Sequence, residues 1–305
     1  MRRNNNQILQ VSTLHYEVCP LCQSQAIAEE RRVKDHSITG ETFALWRCAG
    51  CDFLFTQDPP TPEDAGHYYK GEEYISHSDN QEGLVNKLYH KARDFMLGQK
   101  YQLVNRVAAG KRLLDYGTGT GYFTDFMNRK GYAAEGIEID PEARKYGTEK
   151  FGIVVRAPEA IFDELQPGSF DVISLWHVLE HLYDPQRYLG RFRELLTERG
   201  KLIVAVPNHK SKDAKAYGSD WAAYDVPRHL WHFSPATMRK MMEQSGFRVV
   251  ETHHMPLDPF YVSIMSQKYK SGNGLIAGGL RGLDSFISST ADAERGSSVI
   301  YVIER

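Results

Sequence analysis

The chain has 305 residues, of which 41% are hydrophobic and 25% charged, and its formal net charge is −2. This length accommodates about two domains with a full apolar core, and the composition is that of an ordinary globular protein. The charge balance provides no broad basic face, which argues against nucleic acid as a partner. Residues 1–7 have no apolar run behind them, and no stretch reaches the ~18 apolar residues of a membrane span. We therefore expect a cytoplasmic protein.

Four cysteines form two pairs near the N-terminus, Cys19-Pro-Leu-Cys22 and Cys48-Ala-Gly-Cys51, separated by 25 residues. In a reducing compartment, this spacing favours a tetrahedral zinc site over disulfides, and four sulfur ligands leave no open position for catalysis. Redox chemistry is the alternative, but no thioredoxin-like βαβ pattern surrounds either pair. The sequence therefore predicts a zinc ribbon over residues 1–58, with a structural zinc bound by all four cysteines.

A cluster of breaker residues, Asp58-Pro-Pro-Thr-Pro-Glu63, separates this module from the rest of the chain. Apolar residues then recur at helical spacing from about Leu84 to Val107. We predict a linker and helical segment over residues 59–110.

From residue 111 to the end, short apolar strands alternate with helical patterns. The predicted strands are 112–116, 133–139, 153–155, 170–175, 202–207, 247–252 and 298–303. The predicted helices are 122–130, 141–151, 185–197 and 236–245, and a glycine-rich helical insertion spans 259–289 as a mobile lid or a dimer contact. This alternation is typical of an α/β domain whose parallel sheet is covered by helices on both faces.

The first of these strands leads into a glycine-rich turn, Asp115-Tyr-Gly-Thr-Gly-Thr-Gly121. Its glycines allow positive φ and close approach of a ligand to the backbone. Glu138 lies at the end of the second strand, and an acid at that place can accept the hydroxyls of a ribose. Asp115 can order the turn and bind an amino-acid tail. These groups match S-adenosylmethionine, a nucleoside with a cationic sulfonium and an amino-acid tail.

Two alternatives to this cofactor are a nicotinamide dinucleotide and a generic βα turn without a ligand. The dinucleotide fingerprint G-x-G-x-x-G needs a glycine where Tyr122 stands. A carboxylate beside the turn, here Asp115, is also unsuited to a pyrophosphate. Both points favour the methyl donor.

Several segments in order resemble the class I S-adenosylmethionine-dependent methyltransferases, over about residues 111–252. They are 113–121, Gly136-Ile-Glu-Ile-Asp140, the run 169–181 that ends in Leu-Glu-His, and 200–208. The resemblance implies a Rossmann-like seven-stranded sheet with an antiparallel last strand. It implies, with the turn residues above, cofactor contacts at Asp115, Gly117, Thr118, Gly119, Gly121, Glu138, Ile139 and Ala157. The segment that begins at Ala157 departs from the common Gly-Asp-Ala pattern.

A zinc ribbon followed by a tyrosine pair and a class I domain resembles a bacterial group that includes sugar C-methyltransferases. That resemblance implies a small-molecule or sugar-linked acceptor. One alternative is an RNA methyltransferase whose ribbon contacts RNA, but residues 1–58 carry six Lys and Arg against seven Asp and Glu. Another is an interaction protein that binds the cofactor without turnover.

Four residues are candidates for the chemistry. Two of them lie at the carboxyl end of the fourth strand, which faces the methyl group in such a sheet. His177 and His181 follow the fourth strand, and they share one face if this segment is helical. Tyr224 and His229 belong to an aromatic, titratable loop that we expect to line the acceptor pocket. Bracing or packing of these loops is the alternative for each. A Glu-x-x-Glu-His motif for magnesium would have its first acid replaced by His177.

Overall fold

The computed structural model describes residues 11–69 and 84–305, with the backbone alone for 84–89. Parts of the predicted ribbon (1–10) and of the predicted linker (70–83) lie outside the described residues. The chain divides into two compact units. One, called here the N-terminal unit, contains the described part of Met1–Ser78 together with Asp225–Trp231. The other, the larger unit, contains the described part of Asp79–Tyr224 and His232–Arg305.

A four-stranded sheet forms the N-terminal unit, in the order β1-β2-β3-β9. Its strands are β1 Ile27–Lys34, β2 Thr42–Cys48, β3 Leu54–Thr56 and β9 Trp231–His232, whose first residue, Trp231, belongs to this unit. The β3 residue Thr56 donates its backbone N–H to the carbonyl oxygen of Leu230 at 2.9 Å. The Trp231 ring stacks on Phe53, with 6.0 Å between ring centroids. A late segment of the chain thus completes the N-terminal sheet, whereas the sequence had predicted one continuous domain over 111–305.

Arg228, on this late segment, is buried and connects three parts of the N-terminal unit. Its guanidinium donates to the carboxylates of Asp35 at 3.0 Å and Asp225 at 2.6 Å, and to the carbonyl oxygen of Tyr68 at 2.9 Å. The Asp35 carboxylate also accepts backbone N–H groups from the turn between β1 and β2. Arg228 and Asp35 therefore form a buried, hydrogen-bonded ion pair.

The larger unit is built on a seven-stranded sheet in the order β10-β11-β8-β7-β4-β5-β6. Its strands are β4 Arg112–Tyr116, β5 Ala133–Ile137, β6 Val155–Arg156, β7 Phe170–Trp176, β8 Leu196–Pro207, β10 Arg248–His254 and β11 Ser298–Glu304. The last strand, β11, runs antiparallel to both of its neighbours, and the pairs among β4 to β8 are parallel. The predicted seven-stranded sheet with an antiparallel last strand is confirmed.

Helices lie between these strands. They are α1 Leu84–Val107, α2 Tyr122–Arg129, α3 Pro141–Phe151, α4 Ala160–Asp163, α5 Pro185–Leu195, α6 Lys212–Tyr217, α7 Pro235–Gln244, α8 Asp258–Ser271 and α9 Leu275–Ala291. The limits of α3 follow from local chemistry: Asp140 caps the N–H of Glu142 at 2.9 Å, and Gly152 ends the helix at φ 66°. Within the described residues, no helix has the length and apolar character needed to cross a bilayer.

The core of the larger unit combines central strands with one face of α1. Buried apolar side chains of the strands, such as Val172 and Ile203, pack in one cluster with Leu97 and Val104 of α1. Full burial of a side chain of this size contributes about 1.5–3 kcal/mol. Many such contacts hold the sheet rigid, so that the ends of its strands are fixed relative to one another.

The predicted insertion is a pair of packed helices, α8 and α9. Two glycines of α9 lie directly against α8: a Cβ on Gly278 would be 2.6 Å from the Cα of Ile264, and one on Gly282 would be 2.7 Å from the Cα of Phe260. These glycines allow two helix backbones to approach closely. The outward side of α9 exposes apolar side chains, namely Leu275, Ile276, Leu280, Leu283 and Ile287.

Candidate functional site

The turn between β4 and α2 is shaped by three glycines. Gly117, Gly119 and Gly121 have φ values of 78°, 56° and 84°, in the left-handed region that favours glycine. A Cβ on Gly117 would lie 2.3 Å from Cγ2 of Val178, whereas a Cβ on Gly119 would meet no atom within 4 Å. Gly117 therefore fits a closely packed position, and Gly119 leaves open space where a ligand can approach the backbone.

Glu138, directly after β5, holds this turn. One carboxylate oxygen accepts the backbone N–H of Gly119 at 2.7 Å, and the other accepts that of Asp140 at 3.0 Å. The guanidinium of Arg144 donates to the carbonyl oxygens of Glu138 and Ile139, both at 2.8 Å. The side chain of Ile139 is 78% exposed. The carboxylate of Glu138 and the exposed side chain of Ile139 are thus adjacent along the chain, and Glu138 contacts Gly119.

Ala157 and Thr118 complete the set of predicted cofactor residues. Ala157 follows β6, the neighbour of β5, and its carbonyl oxygen accepts the N–H of Ala160 at 3.1 Å in the first turn of α4. The Thr118 hydroxyl lies 2.7 Å from that of Thr124 on α2. Because the carboxyl ends of parallel strands meet at one edge of a sheet, Ala157 lies at the same edge as the glycine turn.

Asp115 is buried beneath the turn. It accepts a hydrogen bond from the hydroxyl of Ser174, on the adjacent strand β7, at 2.6 Å. Burial raises the pKa of Asp115, and the bond from Ser174 opposes that effect. The carboxylate therefore links β4 to its neighbour β7, the central strand of the sheet.

His177, the residue after β7, is held between two carboxylates. Its Nδ1 lies 3.3 Å from Glu180 Oε1, and its Nε2 lies 3.2 Å from Oδ2 of Asp258, the first residue of α8. Burial alone would lower the pKa of His177, but these two carboxylates outweigh it and raise the pKa to about 10. The imidazole is therefore protonated at neutral pH and donates from both nitrogens.

A second candidate site is formed by the four cysteines of the N-terminal unit. Their sulfur atoms all lie within 4.8 Å of one another, with 3.6 Å between Cys19 and Cys51 and 3.5 Å between Cys22 and Cys48. All four are free thiols. Tetrahedral zinc with Zn–S bonds of about 2.3 Å requires S–S distances of about 3.8 Å. The donor set and its geometry fit zinc.

A family described as a methyltransferase domain matches residues 89–252, more than half of the chain. The chain belongs to this family. The matched region of the methyltransferase contains the glycine turn, Glu138, Ala157, His177 and His181. It therefore contains every residue of the sheet edge described above except Asp258, which lies beyond residue 252.

Two curated relatives share the same name. The ubiquinone biosynthesis O-methyltransferase of Xanthomonas euvesicatoria pv. vesicatoria (strain 85-10) is 28% identical over 165 residues, which cover 50% of this chain and 69% of the relative. That of Idiomarina loihiensis is 24% identical over 181 residues, which cover 55% of this chain and 74% of the relative.

Solved structures show the same fold. A magnesium protoporphyrin IX methyltransferase from Synechocystis PCC 6803, solved with bound SAH, has a TM-score of 0.51 at 12% identity and covers 78% of this chain and 96% of its own. A SAM dependent methyltransferase from Archaeoglobus fulgidus has a TM-score of 0.50 at 16% identity, over 77% of this chain and 100% of its own. The protein is a class I S-adenosylmethionine-dependent methyltransferase, which confirms the family and the donor predicted from the motifs.

The other predicted catalytic residues of the methyltransferase lie in different surroundings. His181 is half-buried in a short 3₁₀ helix, Leu179–His181, which His177 precedes with a positive φ of 59°. The two histidines therefore do not share the face of one α-helix. Tyr224 is 1% exposed, and its ring packs against Trp221 at 5.0 Å between ring centroids.

His229 belongs to the N-terminal unit. It is 8% exposed, and its backbone carbonyl accepts a hydrogen bond from the Thr56 hydroxyl at 2.7 Å. Its backbone N–H donates to the carbonyl oxygen of Asp225 at 3.0 Å. The first of these bonds connects the segment of His229 to β3, and the second lies within that segment.

Two charged residues at the sheet edge were not among the sequence predictions. Asp258 contacts His177, as described above. Lys100, on α1, places its ammonium 4.3 Å from the ring centroid of Trp176 and 5.6 Å from that of Phe123. A signal for Lys100 was present in the sequence: it lies three residues after Leu97 and four before Val104, on the apolar face of the helix.

Proposed function

We propose that this methyltransferase transfers the donor methyl group to a hydroxyl oxygen of a small molecule, a sugar-linked intermediate included. The observation that carries this proposal is the match to ubiquinone biosynthesis O-methyltransferases, which spans 69% of the first relative. The nearly balanced charge of residues 1–58 supports a small molecule over RNA, because an RNA-binding ribbon needs a basic face.

We assign the donor site to the edge formed by the ends of β4, β5 and β6. Glu138 accepts the two ribose hydroxyls, and Ile139 covers one face of the adenine, which Ala157 borders. Gly119 permits close approach of the donor. Asp115 orders the glycine turn and faces the amino-acid tail. The bound donor supplies a methyl group on a positively charged sulfur.

The residues of the chain then act mainly by position, because displacement at an activated carbon gains most of its rate from alignment. We propose that His177 is a positioning residue: as a cation it holds Glu180 and Asp258. We retain His181 as a candidate acceptor contact, since it is half-buried and a ring nitrogen lies within 4.8 Å of the Glu180 carboxylate. The burial of Tyr224 and His229 favours structural roles for both in their loops.

We also propose that Cys19, Cys22, Cys48 and Cys51 bind one structural zinc. The sulfur distances support it, as does the convergence of all four sulfur atoms within 4.8 Å of one another. Four sulfur ligands close the coordination shell, so the ion stabilises the N-terminal unit and takes no part in methyl transfer.

The donor assignment is tested by calorimetric titration of the Glu138→Ala variant with S-adenosylmethionine. Loss of charge-assisted hydrogen bonds worth about 1.5–3 kcal/mol each lowers affinity by about 50-fold or more. Glu142→Ala is the matched control, since Glu142 lies in the first turn of α3 and should leave affinity unchanged. Equal affinity of the Glu138→Ala variant and the wild type would contradict the ribose assignment.

The acceptor class is tested by incubating the protein with donor labelled in the methyl group and with cellular small molecules or RNA in parallel. We expect label in a small-molecule fraction and, by NMR of the product, a methyl group on oxygen. Label in RNA would support the RNA alternative instead. Donor binding without label in any fraction would support the non-catalytic alternative.

A further inference from the structure

Lys100 lies on the apolar face of α1, at the carboxyl edge of the sheet. The aromatic rings it contacts belong to Trp176, the last residue of β7, and Phe123, in the first turn of α2 after the glycine turn. Its ammonium is therefore next to the end of β7 and to the first turn of α2, which follows the glycine turn of the proposed donor site.

The charges around this ammonium come from two other elements. Asp115 at the end of β4 and Asp258 at the start of α8 both act on it. Each carboxylate has another contact, Asp115 with Ser174 and Asp258 with the cation of His177. Within the part of the chain that the structure describes, Lys100 forms no ion pair. Its ammonium therefore contacts two aromatic rings, and the carboxylates that offset its charge, Asp115 and Asp258, act on it without forming an ion pair.

Burial lowers the pKa of Lys100 to about 8, although Asp115 and Asp258 oppose the shift. A lysine with this pKa exchanges its proton near neutral pH, which is what a general base requires. His177 does not meet that requirement, because both of its ring nitrogens donate to carboxylates and its pKa is about 10.

We propose that Lys100 is the general base of the methyl transfer, an inference that rests on the proposed hydroxyl acceptor. The acceptor oxygen forms a bond to the methyl carbon, and the carbon–sulfur bond breaks with its electron pair remaining on sulfur. The amine of Lys100 takes the hydroxyl proton and becomes an ammonium. Charge is conserved, because the positive charge lost from sulfur appears on Lys100.

The charge of the donor would change the pKa of Lys100 between the donor complex and the product complex. A bound sulfonium is a cation, and repulsion between like charges lowers the pKa of a neighbouring lysine. Donor binding therefore shifts Lys100 toward its neutral form. After transfer, the product carries a neutral sulfur, the repulsion ends, and Lys100 retains the proton until the products leave.

This difference between donor and product can be measured without knowledge of the acceptor. Calorimetric titrations at pH 8, in buffers of different ionisation enthalpy, give the protons released when S-adenosylmethionine or S-adenosylhomocysteine binds. Lys100 is about half protonated at that pH, so S-adenosylmethionine should release about 0.4 more protons per site than S-adenosylhomocysteine. Equal release from wild-type protein would overturn the proposal.

Two variants test whether the released proton comes from Lys100. Lys100→Met keeps the apolar stem, and Lys100→Arg keeps a cation that stays protonated. Each should abolish the difference in proton release, and S-adenosylhomocysteine should bind Lys100→Met within about threefold of wild type. The matched control is Lys111→Met, because Lys111 also lies over an aromatic ring, that of Tyr132, but just before the amino end of β4. Its proton release should equal that of wild type.

Other outcomes separate the competing explanations. A loss of more than tenfold in S-adenosylhomocysteine affinity in Lys100→Met would show that Lys100 binds the tail carboxylate of the ligand, and the proposal would be wrong. Failure of wild-type protein to bind either ligand would instead contradict the proposed donor site. Once the acceptor is identified, kcat of Lys100→Met should fall by about 10²–10³ and lose its decline toward acidic pH.

Discussion

The two units of this methyltransferase are stabilised in different ways. The larger unit buries a continuous apolar core between its sheet and its helices. The N-terminal unit has only a short sheet, and it adds four clustered thiols and the buried Arg228–Asp35 pair. Small units cannot bury enough apolar surface to fold on that basis alone, so they depend on a few strong polar or metal links. Single polar substitutions should therefore damage the N-terminal unit far more than the larger one.

The largest effect is expected from removal of the proposed zinc. A structural zinc site contributes about 10–16 kcal/mol of binding free energy, which is coupled to folding. In Cys48→Ser, zinc content by mass spectrometry should fall below one ion per chain, and calorimetry should show loss of the melting transition of the N-terminal unit. Ser24→Ala, in the same unit, should keep its zinc. One zinc per chain in the Cys48→Ser variant would disprove the site.

A smaller loss is expected from Arg228→Met, which leaves the carboxylate of Asp35 buried without its cation. Breaking a buried ion pair from one side costs about 3–5 kcal/mol. The free energy of unfolding, from denaturant titration followed by the fluorescence of the N-terminal unit, should fall by that amount. The double variant Arg228→Met with Asp35→Asn should recover part of the loss. A single variant as stable as wild type would show that the pair contributes nothing.

The same pair makes the N-terminal unit sensitive to acid. Burial would raise the pKa of Asp35, but the bonds from Arg228 and Thr39 outweigh it and hold the pKa below its usual range. The pKa of Asp35 is lower in the folded than in the unfolded protein, where it is about 4. Its contribution to the free energy of unfolding is therefore complete well above pH 4, and it is lost as the pH falls through the folded pKa. The melting temperature should therefore drop below about pH 4. An equal drop in Asp35→Asn would assign the effect to another group.

Within the larger unit, substitution of two glycines in the same turn should have different effects on stability and on donor binding. Gly117→Ala places a Cβ 2.3 Å from Val178, in addition to the positive φ, and we expect a loss of stability of about 2–4 kcal/mol. Gly119→Ala meets no neighbour, and its positive φ alone should cost about 1–2 kcal/mol. Its main effect should be weaker donor binding, because the new methyl group fills the space left open for the ligand. Equal stabilities, or unchanged donor affinity in Gly119→Ala, would contradict this distinction.

Much of the fold could be predicted because its signals are local. The limits of α1, α3 and β4 agree with the predicted ones, and α3 shows why: an Asp cap, a following Pro and a terminal Gly stand side by side in the sequence. By contrast, β8 begins at Leu196, six residues before the predicted start, because Leu196 pairs with Phe170 of β7. That pairing joins residues far apart in the sequence, and the polar segment 197–201 lacks the apolar pattern by which a strand would be predicted.

The candidate site divides in the same manner. The glycine turn and Glu138 could be recognised because the spacing of a βαβ unit fixes them along the chain. The contact between His177 and Asp258 could not be predicted, because Asp258 lies 81 residues further along the chain, in an insertion. Lys100 was missed for another reason: a single lysine in a charged helix looks solvent-exposed until the neighbouring strands are placed over it.

The late strand β9 has a consequence for the order of events during biosynthesis. Translation proceeds from the N-terminus, and domains generally fold as they leave the ribosome. The four cysteines emerge early, but the sheet that surrounds them is completed only when Trp231 and the Arg228 partner of Asp35 have been made. Most of the methyltransferase sheet, through β8, is synthesised within that interval. The nascent N-terminal unit therefore spends about 170 residues of elongation, or roughly 10–35 s at 5–20 residues per second, with one edge of its sheet unpaired.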